Sequence, residues 1–392
     1  MNNNEIMALD HEYIMATYGR LPIAPMKGKN ATMVDADGKT YIDFTSGIGV
    51  NSLGYSDDEW VAAVTAQLEK IQHMCNYYYC ENAGLVAKQL VLLSGLNKVF
   101  FGNSGAEANE GAIKLARKYS YDKYKDGRST IVSLKSSFHG RTITTLAATG
   151  QDVFHQYFYP FTEGFKYVPA NDYDALAAAC TDDVCAVIAE PIQGEGGVNV
   201  LDIDYVRKLR ALCDERDILL IFDEVQTGIG RTGKFFAHEY FGVKPDIITL
   251  AKGLGGGLPI GVFIAGEKCC DTLGSGMHGT TFGSNPVVCA GALNVLERVS
   301  KPEFLDEVLK KGKYLTEKLL SYSPRKVIGV RGKGLMLGFQ VSGNPKDYLH
   351  DCADKGLLVL TAGSDVIRLL PPLTISYDEI DKGVAILADV LK

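Results

Sequence analysis

Nine cysteines are scattered through the 392 residues, yet no two form a CxxC pair and no disulfide-like framework appears. Cys75/Cys80 and Cys180/Cys185 are too loosely spaced for a zinc site, so no metal is expected. The cysteines read as thiols of a reducing cytosol, and a cytoplasmic location is expected. Internal repeats, low-complexity tracts and long runs of one charge are also missing. The formal net charge is −7, a mildly acidic balance that argues against nucleic acid or an anionic membrane as main partner. The longest apolar stretch, Ile247 to Gly266, contains Lys252, Pro259 and six glycines and reads as no spanning helix. Met1–Glu5 is polar, without the apolar core of a secretory signal. A nucleotide P-loop of the form GxxxxGK[ST] is absent as well.

What is present begins with length and pattern. A chain of 392 residues is long enough for a large core and two lobes. In residues 98–265, short apolar runs alternate with helical patterns: Lys98–Phe101, Thr130–Leu134, Val184–Ala189, Ile218–Phe222, Asp246–Ala251 and Ile260–Ala265. Such runs, joined by crossovers of this length, predict an α/β fold with a mostly parallel sheet covered on both faces. Ala31–Val34 and Thr40–Phe44 read as a hairpin turned by Asp35-Ala36-Asp37-Gly38. Capping boxes at Ser56–Glu59 and Ser376–Glu379 predict helix starts. The expected division is a large domain over 60–290, with a smaller α+β domain built from 1–59 and 291–392.

Ligands of open parallel sheets bind beyond the carboxyl ends of the strands, and several of those ends here carry suggestive residues. Lys252 stands where an apolar strand breaks into Gly253-Leu254-Gly255-Gly256-Gly257, leaving its amine free to meet a planar ligand. Burial lowers a lysine pKa and yields a nucleophile able to form a Schiff base. Asp223 follows five apolar residues, and a carboxylate there needs a cationic partner such as a protonated ring nitrogen. A helix cap or metal ligand is the plainer alternative. If the chain is still in a strand, Glu224 points the opposite way. Asp223 and Lys252 are one strand–crossover–strand unit apart, so both can stand at adjacent strand ends. Ser104, Gly105 and Ala106 form a strand-to-helix turn able to cradle a phosphate, although taken alone a simple serine N-cap is the favoured reading. Phe138 can stack on a flat cofactor and Arg141 can grip a carboxylate; a core aromatic and a surface arginine are the bland readings. Glu195, in a glycine-flanked loop, is able to pair with or release an arginine, or is a solvated loop acid. Thr280 and Thr281 add hydroxyls before another helix. Arg368, set amid apolar residues, needs a buried anion or an active-site role.

Taken in order, SGAEANE (104–110), SFHGRT (137–142), EPIQGEGG (190–197), DEVQTGIGRTG (223–233), AKGLGGGLPIG (251–261) and TFGSNP (281–286) resemble the class III (ω-amino acid) aminotransferases, pyridoxal 5'-phosphate enzymes of fold type I. Tyr18–Pro22 and Arg141 look most like the branch acting on acetylornithine. The resemblance implies that Lys252 carries the cofactor and shuttles the proton, Asp223 pairs with the pyridinium, and Gln226 reaches the phenolic oxygen. It gives Phe138 to the ring face and Ser104, Gly105 and Ala106 to the phosphate, with Thr281 crossing a homodimer interface. Arg141 and Thr280 would bind substrate, and Glu195 would neutralise Arg368 until glutamate or 2-oxoglutarate arrives. The implied reaction moves the terminal amino group of N-acetylornithine to 2-oxoglutarate; ornithine, succinylornithine or 4-aminobutyrate are the alternative donors. A nicotinamide-dependent oxidoreductase and a non-catalytic binder on the same scaffold are the rivals from other classes. The chain departs from its relatives at Gly54-Tyr55-Ser56-Asp57, where they commonly carry a Gly-His…Pro pattern.

Overall fold

A computed structural model describes all residues, 1–392. Its centre is a seven-stranded sheet in the order Lys98–Gly102, Gly261–Ala265, Ile247–Leu250, Leu219–Asp223, Val184–Ala189, Thr130–Leu134, Phe165–Val168. Only Gly261–Ala265 runs against its neighbours; the other pairings are parallel. The expected mostly parallel sheet is therefore present. The edge strand Phe165–Val168 was not anticipated, because it is short and mixes Lys166 and Tyr167 among its apolar residues.

Side-chain alternation explains why the central strands are apolar throughout. Leu220 and Phe222 enter one buried layer, whereas Leu219 and Ile221 enter another on the opposite face. Helices Gly105–Tyr124 and Ile203–Glu215 supply crossovers, with Ala112, Ile113, Leu115 and Ala116 packing on one side and Val206, Leu209 and Leu212 on the other. No helix of the chain is long and apolar enough to cross a membrane.

The hairpin forms as expected, between Thr32–Asp35 and Thr40–Asp43. Asp35 makes the turn: its Oδ1 accepts from the amides of Asp37 (3.0 Å) and Lys39 (2.9 Å). Leu357–Leu358 then adds to Thr40–Asp43 in parallel, so the two ends of the chain share one sheet. A second four-stranded sheet, Val327–Lys333, Met336–Val341, Val366–Leu369 and Leu360–Ala362, holds Arg368 opposite Gly338. An N-terminal helix, Asn3–Tyr13, went unforeseen, because its weak amphipathicity hides it; a capping box between Asn2 and Glu5 starts it.

The two expected capping boxes fare differently. Ser376 and Glu379 cap the last helix, Tyr377–Val390, as read from the sequence. At the other, Asp57 rather than Ser56 is the cap of Asp58–Leu68, accepting from the Trp60 amide at 3.0 Å. Asp57 also takes a bidentate pair from Arg298, which a serine does not attract.

Glu379 does more than cap. Its carboxylate accepts from Asn30 Nδ2 (2.6 Å), the Ala31 amide (3.1 Å) and Thr32 Oγ1 (3.0 Å), tying the last helix to the hairpin. Glu379→Ala removes these bonds together and is expected to cost about 2 kcal/mol. The measurement is the denaturant unfolding midpoint; an unchanged midpoint means the bonds contribute nothing net.

Candidate active site

Strands Leu219–Asp223 and Ile247–Leu250 are parallel neighbours with Asp223 in register with Thr249, so Asp223 and Lys252 emerge at one end of the sheet. Asp223 is 3% exposed. Its Oδ2 accepts from Asn109 Nδ2 at 2.7 Å and lies 2.8 Å from His139 Nδ1; its Oδ1 accepts from the Val225 amide at 3.0 Å. Three donors thus occupy a carboxylate with about four acceptor directions, leaving one on Oδ1. Glu224 points the other way and is filled by His238 N and Nδ1, Ala237 N and Thr227 Oγ1.

Lys252 opens a short 3₁₀ turn with φ of +42°, a left-handed conformation rare for a side-chain-bearing residue. Burial is the largest influence on its amine and pushes the pKa below the usual lysine range. Glu195, Asp223 and Glu190 oppose that fall, while Arg368 adds to it.

Both residues line a cavity of about 420 Å³. Ser104, Gly105 and Ala106 form one end, where Ser104 caps helix Gly105–Tyr124 by accepting from the Glu107 amide (3.1 Å). The amides of Gly105 and Ala106 open the helix and have no intrahelical acceptor. Gly105 is forced by space: a Cβ would lie 2.7 Å from Val225 Cγ1. Phe138 and Val225 add apolar surface to the wall.

Glu190 spans two of these segments. Its Oε1 accepts from the Phe138 amide (2.9 Å) and its Oε2 from the Gly194 amide (3.1 Å). Burial raises its pKa to about 7; Asp223 adds to the rise and His139 opposes it.

Glu195 holds Arg368 in a two-pronged pair, Oε1–Nη1 at 2.7 Å and Oε2–Nη2 at 3.1 Å. Gln226 joins both, accepting from Arg368 Nη1 (3.1 Å) and donating to Glu195 Oε1 (3.3 Å). Burial by itself raises the Glu195 pKa, but the Arg368 charge and hydrogen bonds, with Lys252 and Gln226, bring it below the usual carboxylate range. Arg368 is 2% exposed and stands behind Glu195 and Gln226, outside the cavity wall.

Of the residues singled out in the sequence, Lys252, Asp223, Ser104, Gly105, Ala106, Phe138, Gln226, Arg141 and Glu195 share this wall. Thr280 and Thr281 lie outside it in the same chain; Thr280 Oγ1 accepts from Asn103 Nδ2 (3.1 Å) and Thr281 is exposed. The segment Gly54–Asp57 is not part of the wall either. Tyr55 instead packs on Gly28 and donates its hydroxyl to buried Asp43 (2.7 Å). Asn109, His139 and Glu190 were present in the quoted motifs but given no role. The signal for the first two was the cost of burying Asp223, which demands nearby donors.

The model of the family described as aminotransferase class-III matches residues 13–391. The chain belongs to the class III aminotransferases. It is 53% identical over 394 residues to an acetylornithine aminotransferase of Haemophilus ducreyi, covering all of this chain and 99% of the relative. It is 48% identical to one from Caldanaerobacter subterraneus, covering 98% and 99%. Among solved structures, an ornithine aminotransferase from Toxoplasma gondii superposes with a TM-score of 0.95 at 30% identity, covering 100% and 95% of the two chains. An N-acetylornithine aminotransferase from Stenotrophomonas maltophilia gives 0.85 at 36%, covering 98% of each. The expected fold type I architecture is thereby established, and an oxidoreductase is set aside.

Enzymes of this family use pyridoxal 5'-phosphate, and the donor set fits that group. The cavity offers an amine, an acid with an unused acceptor direction, helix-opening amides suited to a phosphate, and an aromatic wall. Asn109 Oδ1 and His139 Nε2, both buried without a partner in the chain, mark the wall as polar behind the acid.

Glu190 makes the pH behaviour testable. Its folded pKa is raised from 4.5 to about 7, so the folded state holds the extra proton. Its contribution to stability is therefore fully present below pH 4.5 and is lost as the pH rises through about 7. Glu190→Gln is expected to flatten that slope when unfolding midpoints are measured across the interval. Parallel profiles for variant and wild type assign the slope to other groups.

Proposed function

We propose that this aminotransferase transfers the terminal amino group of N-acetylornithine to 2-oxoglutarate, releasing N-acetylglutamate 5-semialdehyde and glutamate. The observation that carries this reading is a pair of arginines in different states around one cavity. Arg141 is exposed in the wall with no carboxylate partner, whereas Arg368 is buried and already neutralised by Glu195. A donor that reacts at its far amine presents a single carboxylate, remote from the chemistry, and needs only Arg141. The acceptor carries two carboxylates and needs both arginines. Similarity to relatives named for acetylornithine, at 53 and 48% identity, supports the same donor.

Pyridoxal 5'-phosphate, when bound, supplies an aldehyde that takes up the amino group and a ring that accepts electrons released at the substrate carbon. Lys252 would hold the cofactor until the donor's amine takes its place. That freed amine, whose pKa burial lowers, would accept the substrate-carbon proton and deliver it to the cofactor's aldehyde carbon. Asp223, fixed by Asn109 and His139, would hold the ring nitrogen in its charged form. Gln226 would hold the phenolic oxygen, Phe138 the ring, and Ser104, Gly105 and Ala106 the phosphate. Glu195 swings from Arg368 when 2-oxoglutarate arrives, because the acceptor's own carboxylate replaces it. Thr280, outside the cavity wall of its own chain, would border the substrate from across the subunit interface.

Turnover measured with acetylated and free ornithine against 2-oxoglutarate tests the donor. Acetylornithine is expected to give the higher kcat/KM, with Lys252→Ala lowering either rate by several orders of magnitude, roughly 10⁴-fold or more. Preference for free ornithine or 4-aminobutyrate assigns the protein to a sister activity; an active Lys252→Ala removes the lysine role.

The working unit is a homodimer, with Thr281 reaching the partner's phosphate site. Support comes from an apolar surface beside Thr281. Tyr77 and Tyr79 are almost wholly exposed, Tyr78 and Phe282 are mostly so, and Met277 is partly exposed. Asn76 binds the carbonyls of Thr280 and Gly283, and His73 packs on Phe282, so these segments form one patch. The nine free cysteines support a cytoplasmic location. Sedimentation is expected to show a dimer, and Tyr79→Glu with Phe282→Glu to shift it toward monomer with loss of bound cofactor. A monomeric wild type refutes the shared site.

A further inference from the structure

Arg141 is held in an unusual way. It has five N–H donors, yet it forms no hydrogen bond or ion pair in the chain; two aromatic faces fix it instead. Its guanidinium carbon lies 4.1 Å from the centroid of Phe154 and 5.4 Å from that of Phe138. The two rings meet edge to face, 6.1 Å apart and inclined by 75°. Phe138 belongs to the cavity wall and Phe154 does not.

The geometry matters because a guanidinium flanked by aromatic rings, with no acidic partner, keeps its in-plane hydrogens free. Those edge hydrogens form the fork that matches a carboxylate. An acidic partner would hold Arg141 equally well but would use up that fork. An unsupported arginine would leave the fork free but lose side-chain freedom each time a ligand bound.

Phe154 reaches this place through hydrogen bonds that tie its segment to the loop of Arg141. After helix Ile143–Ala148, the chain returns along the loop that carries Phe138 and Arg141. Ser136 N donates to Gly150 O (2.7 Å), Gly150 N to Ser137 Oγ (3.0 Å), and Gln151 Nε2 to the Ser137 carbonyl (2.9 Å). A single 3₁₀ turn, Asp152–Phe154, then sets the ring over the arginine.

We propose that Phe154 is a positioning residue that sets specificity for the substrate's remote carboxylate by holding the Arg141 fork in place. The inference rests on the carboxylate-binding role given to Arg141 above. It adds a residue that lies outside the cavity wall and that none of the motifs contains.

The test is a double-mutant cycle on the holoenzyme with Phe154→Ala, Arg141→Gln and the two combined, and Phe154→Tyr as the conservative variant. Calorimetric binding of glutarate and steady-state kinetics are both read. Phe154→Ala is expected to weaken glutarate binding and raise KM for acetylornithine and 2-oxoglutarate by about 3- to 10-fold, with kcat within about twofold. Phe154→Tyr restores both values. In the Arg141→Gln background, Phe154→Ala changes neither. Unchanged binding in Phe154→Ala overturns the proposal, and so does a full additional loss in the double variant, since either shows that the ring does not act through Arg141. A wild type inactive on acetylornithine defeats the donor assignment alone, because the glutarate cycle is read by binding.

Discussion

Burying the carboxylate of Asp223 at the end of an apolar strand is the constraint on which the site is built. An unpaired buried charge costs several kcal/mol, so the acid has to be surrounded by donors. Its three come from separate places: Asn109 from helix Gly105–Tyr124, His139 from the loop after Thr130–Leu134, and the Val225 amide from its own turn. Satisfying one acid therefore fixes three segments relative to one another. Those same segments carry Ser104 to Ala106, Phe138 with Arg141, and Gln226. The Ser104–Ala106 turn, the aromatic wall and the arginine at the cavity share one anchor, and Asn109 Nδ2 strengthens it by also donating to the His139 carbonyl (2.8 Å).

Around this anchor the charges are arranged in two depths. Lys252, Glu195 and Arg368 influence one another electrostatically, and Gln226 is bonded to the latter two. In the proposed exchange Glu195 is the member that moves, and it lies between Gly194 and Gly196. A Cβ at Gly194 would fall 2.1 Å from Gln226 Oε1, so glycine there allows the loop to pass the amide closely. Arg368 is the fixed member, held within a strand and almost wholly buried. A fixed cation with a mobile anion can expose or mask one positive charge without repacking the core. That property suits a site that must accept first a substrate with one carboxylate and then one with two.

The central sheet was legible because burial on both faces leaves strands with no alternative to continuous apolar residues, as in Val184–Ala189. The adjacency of Asp223 and Lys252 followed from crossover length and parallel pairing. Less was visible where structure depends on partners distant in sequence. Ser56 looked like the cap of its helix, but Arg298, more than two hundred residues on, selects Asp57. Tyr55 seemed a departure near the substrate; its ring instead answers Gly28 and its hydroxyl answers Asp43. His139 and Glu190 were in plain sight within motifs, and their partners were not, since no periodicity tells which strand end faces which loop. Phe154 carries no local signal, because its importance lies in a guanidinium brought over it by a returning chain.

Asp223 and Glu224 show how far accounting for hydrogen bonds can separate chemistry from scaffolding. They are consecutive acids, both buried, each beside a histidine. The alternation of the strand sends them to opposite faces. Glu224 spends two acceptor directions on His238, one on Ala237 and one on Thr227, which exhausts a carboxylate. It can bind nothing more, and the turn it closes is its whole contribution. Asp223 has one direction left and stands in the cavity wall. Two acids of equal burial thus differ in the one respect that decides function, the capacity to take another donor. That difference follows from which face each residue was dealt by a period of two, and the same count can be made for any buried carboxylate at a strand's end.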